Sequence, residues 1–259
     1  MNQFFRKRMS KKILLWDFDG VIANSLDECL ITSYNAFVIQ ENYQRKPVRS
    51  VREVPVVHRD HFFRYRKYVR PAGEYYLLHK SLTLGQSISD YQSFKKLRSV
   101  FADIIQPFQQ LFFAERNKFR SENENAWLLK HQVYPHVKKA WGLLNHYYDF
   151  MIVSNKDQRS ITLLLDYFGL KIDHNNIYGA DFTSNKHEII VHILAENRFD
   201  PLDVTFIDDQ YNQLTDLRDL GINLCYASWG YGDVPNKFDP SIIQLTVENM
   251  QSKLKGMLV

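Results

Sequence analysis

The sequence predicts an α/β fold, a parallel sheet covered on both faces by helices, with a helical unit set into it near the start. Three observations predict it. Segments apolar throughout, not alternating, recur along the second half of the chain, and such runs mark strands buried on both faces. Stretches of helical periodicity separate them. Residues 25–133 differ, holding few strand signals and several helical stripes. A length of 259 residues suits one large domain or a core carrying an insertion.

In chain order, ILLW at 13–16 is the opening strand. Leu26, Leu30, Tyr34 and Phe37 then fall at helical spacing. A longer stripe runs through Tyr91, Phe94, Leu97, Phe101, Ile104, Phe108, Leu111 and Phe112, with a kink expected at Pro107. Ser121 and Glu124 have capping-box spacing ahead of another apolar turn. These stripes are expected to pack against one another as a helical subdomain. DFMIVS at 149–154 is the second sheet strand, followed by a helix bearing Ile161, Leu164, Leu165 and Phe168 and ending at Gly169. A short strand NIYG (176–179), a helix over 186–199, the strand VTFI (204–207), a helix ending at Gly221 and the strand INLCYA (222–227) complete the series.

Composition removes several classes. Apolar residues make up 45% and charged residues 24%, the profile of a soluble globular chain. Cys29 and Cys225 lie far apart, which argues against a disulfide framework or a thiolate zinc site. The apolar run after the basic start MNQFFRKRMSKK is too short for a signal peptide, and no stretch is long enough to span a bilayer. A cytoplasmic protein with a frayed basic terminus and no membrane partner is the expectation. The net charge of +4 averages unlike parts. Residues 25–133 carry 17 basic and 11 acidic side chains, the first twelve residues add five basic ones, and the rest holds 11 basic against 18 acidic. The segment 25–133 is thus basic and the stretch around it, 13–24 with 134–259, acidic.

Four chemical features fall where a parallel sheet presents its ligand-binding edge. ILLW runs into Asp17-Phe18-Asp19-Gly20-Val21; FMIV runs into Ser154-Asn155-Lys156; Lys186 begins a helix; and VTFI runs into Asp208-Asp209. Singly, each has a plain structural role, as a helix cap or a solvated lysine. Together they bring carboxylates, a hydroxyl and an ammonium to one edge.

These residues resemble the haloacid dehalogenase superfamily, and within it the phosphoglycolate-phosphatase-like enzymes. The likeness runs through WDFDGVIANS, YPHVKKAWGLLNHYYDFMIVSNK, IYGADF, Lys186, FIDD and SWGYG (228–232). It implies a Rossmann-like core, residues 1–24 and 134–259, with a larger-than-usual all-helical cap, residues 25–133, inserted after the first motif. It further implies that Asp17 attacks phosphorus to form an aspartyl-phosphate and that Asp19 acts as acid and then base. Ser154 and Lys186 would hold the phosphoryl group, with Asn155 beside it, and Asp17, the Asp19 carbonyl and Asp209 or Asp208 would bind Mg²⁺, Asp209 being favoured by register. The resemblance favours a Mg²⁺-dependent phosphomonoesterase. Where the family more often has Asp, Pro and Asp, this chain has Asn24, His187 and Gln213.

Residues 45–70 hold nine basic side chains against Glu53 and Asp60. Most such charges form a solvated face, but Arg64, Arg66 and Arg70 are candidates to reach the cleft and grip the substrate. His58 and His61 read as packing residues. A lid closing on a small cleft fits a small phosphorylated anionic metabolite and not a nucleic acid. A sugar phosphomutase would use the same scaffold, as would phosphonoacetaldehyde hydrolase, which needs a Schiff-base lysine among Lys46, Lys67, Lys80, Lys95 and Lys96. A binding protein that merely kept the fold ranks below these.

Overall fold

The computed structural model describes residues 11–233, 235 and 237–258; the terminus expected to fray lies almost wholly outside them. Its strands are β1 (Lys12–Trp16), β2 (Ala23–Asn24), β3 (Gln132–Val133), β4 (Tyr148–Val153), β5 (Ile177–Tyr178), β6 (Val204–Asp208), β7 (Asn223–Ala227) and β8 (Ile242–Leu245). Six form one sheet in the order β5-β4-β1-β6-β7-β8, parallel at every pairing. Successive side chains of a strand point to opposite faces. Leu14 and Trp16 therefore join Trp141 and Phe150 on one side, and Ile13 and Leu15 join Met151, Val204 and Phe206 on the other. Burial on both faces is why β1 reads as an unbroken apolar run; each such side chain contributes on the order of 2 kcal/mol.

Six helices lie between β2 and β3: α1 (Leu26–Gln40), α2 (Val56–Tyr65), α3 (Tyr75–Thr83), α4 (Tyr91–Val100), α5 (Ala102–Glu122) and α6 (Glu124–Leu128). Five more, α7 (Pro135–Leu144), α8 (Gln158–Phe168), α9 (Lys186–Asn197), α10 (Tyr211–Thr215) and α11 (Met250–Gly256), accompany the sheet. The first group has its own core, in which Phe37, Phe62, Leu78, Phe94, Phe108 and Phe112 are buried. The far end of α5 (Phe119), with Trp127 and Leu128, packs instead into the core of one sheet face. His58 Nδ1 lies 3.1 Å from His79 Nδ1, and His61 Nε2 lies 3.0 Å from the Ser81 hydroxyl, so both histidines are part of this packing.

Two local expectations need correction. The long stripe breaks at Phe101, which ends α4 and opens α5, while Pro107 stays within α5. Pro107 forgoes one backbone bond, and buried Phe108 and Phe112 carry the helix past it. Asn123 caps α6, accepting from the Ala126 N–H at 3.0 Å, whereas the Ser121 hydroxyl stays in α5 and donates to the Lys118 carbonyl. The chain enters and leaves the helical unit on strands, since β2 and β3 pair antiparallel. Among the described residues no helix is long and apolar enough to cross a membrane.

Candidate active site

Because β4, β1 and β6 are adjacent and parallel, their carboxyl ends share one edge. Asp17 follows β1, and its N–H donates to the Ile207 carbonyl at 2.9 Å, extending the ladder by one residue. The chain then doubles back. The Ile22 and Ala23 N–H groups donate to the Phe18 carbonyl (2.9 and 3.0 Å), and the Gly20 N–H donates to Ala23 at 2.8 Å. Gly20 has φ +89°, and a Cβ there would stand 2.4 Å from Asp209 Oδ2. Only glycine meets both demands.

One carboxylate oxygen each from Asp17, Asp208 and Asp209 lie within 4.8 Å of one another, all three residues being buried. Lys186, the first residue of α9, reaches Asp208 Oδ2 at 2.7 Å and Asp17 Oδ1 at 3.1 Å. The other oxygen of Asp208 accepts the Gln210 N–H at 2.8 Å, so both are engaged. Asp209 differs. Its Oδ2 accepts the N–H groups of Tyr231 (2.6 Å) and Gly232 (3.2 Å), and among the described residues its Oδ1 accepts none. Burial, reinforced by Asp208 and Asp17, pushes Asp209 up to about 8. Burial likewise raises Asp17 to about 6, although Lys186 opposes it. Three carboxylates share one ammonium, so the cluster lacks positive charge. All-oxygen donors and that deficit fit a hard divalent cation such as Mg²⁺.

Asp19 faces a different partner. Lys156 Nζ lies 3.2 and 3.4 Å from its two carboxylate oxygens and 3.7 Å from Glu28 on α1. Arg116 of α5 clamps Glu28 with two bonds, 2.9 and 2.8 Å, and reaches Asp157 at 3.2 Å. Arg120, one turn on, contacts Asp157 at 3.3 Å and the Ser160 hydroxyl at 2.6 Å. Carboxylates and cations thus alternate in a buried chain from the helical unit to the end of β4. Burial alone would raise Asp19 and Glu28; Lys156 and Arg116 overcome it and hold both below the usual carboxylate range. Burial pushes nearby His131 down to about 3, leaving it neutral at pH 7.

Between the two halves is a cavity of about 40 Å³. The sheet edge supplies Asp17, Asp19, Ser154, Asn155, Lys156, Lys186 and Asp209; the helical unit supplies Arg66, Arg70 and Arg116. Asp208 is fully buried beneath it and does not line it. Arg66 is 8% exposed. Its guanidinium lies 5.3 Å from the Tyr75 ring centroid and 5.1 Å from that of Tyr231, and its Nε has no hydrogen-bond partner among the described residues. Arg70 pairs with Asp216 at 2.8 Å, and its carbonyl accepts from Asn155 Nδ2 at 3.4 Å.

Arg64 is not brought to the cavity. It follows the buried Phe62 of α2 by two residues, and at about 100° per residue that turns it to the opposite, exposed side. None of the five lysines considered for a Schiff base lines the cavity; Lys80 pairs with Glu41 and Lys67 with Asp233. Glu28, Arg116 and the ammonium of Lys156 join the site without belonging to any of the four sequence features as functional groups. A signal existed. Phe108, Phe112, Arg116 and Arg120 recur every four residues, so an apolar stripe that turns into arginines requires buried anions to meet them.

A model of the haloacid dehalogenase-like hydrolases matches residues 14–227. Among solved structures, the chain is similar to a predicted phosphoglycolate phosphatase from Haemophilus somnus, at 16% identity and TM-score 0.61, covering 94% of this chain and 97% of that one. It is similar to a predicted phosphatase from Clostridium acetobutylicum at 14% identity and TM-score 0.61, covering 95% and 99%. A haloacid dehalogenase-like hydrolase from Streptococcus pneumoniae is 16% identical with TM-score 0.60, covering 94% and 98%. No curated protein matches the sequence. At these identities the structural likeness speaks for the fold.

Proposed function

Because the chain belongs to the haloacid dehalogenase-like hydrolase family, we propose that it is a Mg²⁺-dependent phosphomonoesterase acting on a small phosphorylated anion through an aspartyl-phosphate. The observation that carries this reading is Asp19, a second carboxylate two residues beyond Asp17, lining the same cavity and held by Lys156. A nucleophile with an acid/base neighbour is what phosphoryl transfer to water requires. Solved structures of the same fold that carry phosphatase names support it.

Asp17 attacks phosphorus, and the bond to the leaving oxygen breaks. Asp19 is ionised beside Lys156 and must first gain a proton; an ester arriving as its monoanion, with a second pKa near about 6, brings one. Asp19 passes that proton to the leaving oxygen, then takes one from the water that attacks the aspartyl-phosphate. Ser154 and Asn155 donate hydrogen bonds to the phosphoryl oxygens, and Lys186 and Arg66 offset their charge. Asp17, Asp209 and the Asp19 carbonyl would hold Mg²⁺, whose contribution when bound would be to offset negative charge at the reacting centre. Asp209 is favoured over Asp208 because it lines the cavity with one oxygen unclaimed among the described residues. Residues 25–133 form the cap over a core of 1–24 and 134–259, a division supported by the separate core of the helical unit and by β2 and β3 at its two ends.

The test is phosphate release from a panel of phosphomonoesters with Mg²⁺ and with EDTA. Asp17→Asn is expected to abolish release and any acid-stable phosphoenzyme while leaving the circular dichroism unchanged. Surviving release would remove Asp17 as nucleophile, and isomerised product in place of free phosphate would indicate a mutase.

A further inference from the structure

Beside the catalytic cavity of about 40 Å³ lies a second of about 210 Å³. The same two segments wall both. From the cap, Arg66 and Arg70 line the first cavity and Lys67 and Tyr68 the second; from the core, Asp209 lines the first, Tyr211 the second, and Gln210 both. Adjacent Cα atoms are about 3.8 Å apart, so the two cavities are within a side chain's length of each other.

Their chemistry differs. The catalytic cavity is charged and has room for little beyond a phosphoryl group. The second holds its charges as a Lys67–Asp233 ion pair, 2.9 Å apart, and otherwise presents Tyr68, Tyr91 and Tyr211. The Tyr68 and Tyr91 rings lie 5.9 Å apart. The Arg70 guanidinium sits 5.8 Å from the Tyr91 centroid, joining the aromatic wall to the catalytic cavity. At the junction, Gln210 Nε2 is buried without a hydrogen-bond partner among the described residues. A buried donor left alone is costly, and here it waits for an acceptor that spans the two cavities.

We propose that the tyrosine-lined cavity receives the leaving group, and that this group carries a planar aromatic ring with hydrogen-bond acceptors, as in a nucleoside 5′-monophosphate. The proposal rests on the phosphomonoesterase reading for its turnover but not for its binding. Tyr68 already packs on Tyr65 and Phe94, and Tyr211 on Tyr226 and Phe238, so half-buried Tyr91 is the ring on which a planar group would stack, and ring faces stack on tyrosine whatever their substituents.

The probes are adenosine 5′-monophosphate and ethyl phosphate. Binding to the Asp17→Asn protein is measured by calorimetry with Mg²⁺, and kcat/KM is measured on the native enzyme. The nucleotide is expected to be preferred at least tenfold by both measures. Tyr91→Ala should reduce that preference at least tenfold through KM, Tyr91→Phe should restore it, and Gln210→Ala should lower it in the same direction. Equal treatment of the two probes by the native protein would overturn the proposal, as would equal losses for both probes in Tyr91→Ala. If the nucleotide binds with Tyr91-dependent affinity but is not hydrolysed, the hydrolytic reading fails and the ring site stands. If ethyl phosphate is hydrolysed and the nucleotide neither binds nor reacts, the ring site fails and the hydrolytic reading stands.

Discussion

The carboxylate of Asp209 stands where it does because three glycines leave it the room. A Cβ at Gly232 would lie 1.8 Å from the Asp209 carbonyl oxygen, one at Gly230 would lie 2.2 Å from Asp209 Cβ, and one at Gly20 would meet its Oδ2. The Tyr231 and Gly232 N–H groups then fix Oδ2, and Oδ1 accepts no hydrogen bond among the described residues. Gly232→Ala must therefore displace backbone, not merely a side chain. Since a misplacement of about 1 Å can cost 10²-fold in rate, we expect kcat/KM to fall by about that factor, as measured by phosphate release. The letters SWGYG were visible in the sequence, as was Asp208-Asp209. That the first wraps the second was not, because a glycine's necessity depends on what stands opposite it in space.

At the scale of elements, α5 does most to tie the two halves together. Its first half packs within the cap through Phe108 and Phe112, and its second half sends Arg116 and Arg120 to anions at the base of the cap and at the start of α8. Glu28 is fully buried, and Arg116 is its bidentate partner. Arg116→Ala would leave that carboxylate with the Lys156 ammonium at 3.7 Å, the Thr32 hydroxyl at 2.8 Å and the neutral His131 ring, and breaking a buried pair typically costs about 3–5 kcal/mol. Urea unfolding should show a loss of that size. Arg116→Lys should recover only part of it, since one ammonium cannot reproduce the two parallel bonds. Helical periodicity made α1, α4, α5 and α8 legible, and unbroken apolar runs did the same for β1, β4, β6 and β7. The break at Phe101 was not legible, because the stripe continues through it. Nor were β2 and β3, whose two residues each are too few for any period to register, or β8, whose central residues are only half-buried.

For the whole molecule, opposed charge is the organising fact, and the sequence showed it as a basic 25–133 against an acidic remainder. The structure adds where the two meet. Lys67 pairs with Asp233 and Arg70 with Asp216, each joining cap to core. Buried Arg66 faces Tyr231, which itself donates its N–H to Asp209. The acidic cluster keeps a deficit that the cap does not fill, and this has a global consequence. A cation that binds only the folded state stabilises it by about 2.7 kcal/mol at a hundredfold excess over Kd. For a chain of this size that is a rise in Tm of roughly 5–10 °C. Thermal scans with Mg²⁺ and with EDTA should show the difference, and Asp209→Asn should remove it.

The joint between the halves has its own implication. β2 and β3 run antiparallel and adjacent, the arrangement that a two-residue turn ordinarily closes. Topologically, everything from residue 25 to 131 is a hairpin loop grown to the size of a domain. Each doubling of a loop costs only about 0.6 kcal/mol in closure entropy, so its length places little burden on the sheet. Such a junction is a natural grafting point: one lid could be exchanged for another without redesigning the strands beneath. A successful graft would have to replace two things this lid now supplies, the Trp127 indole packed into the core of the sheet and a counter-charge for Lys156.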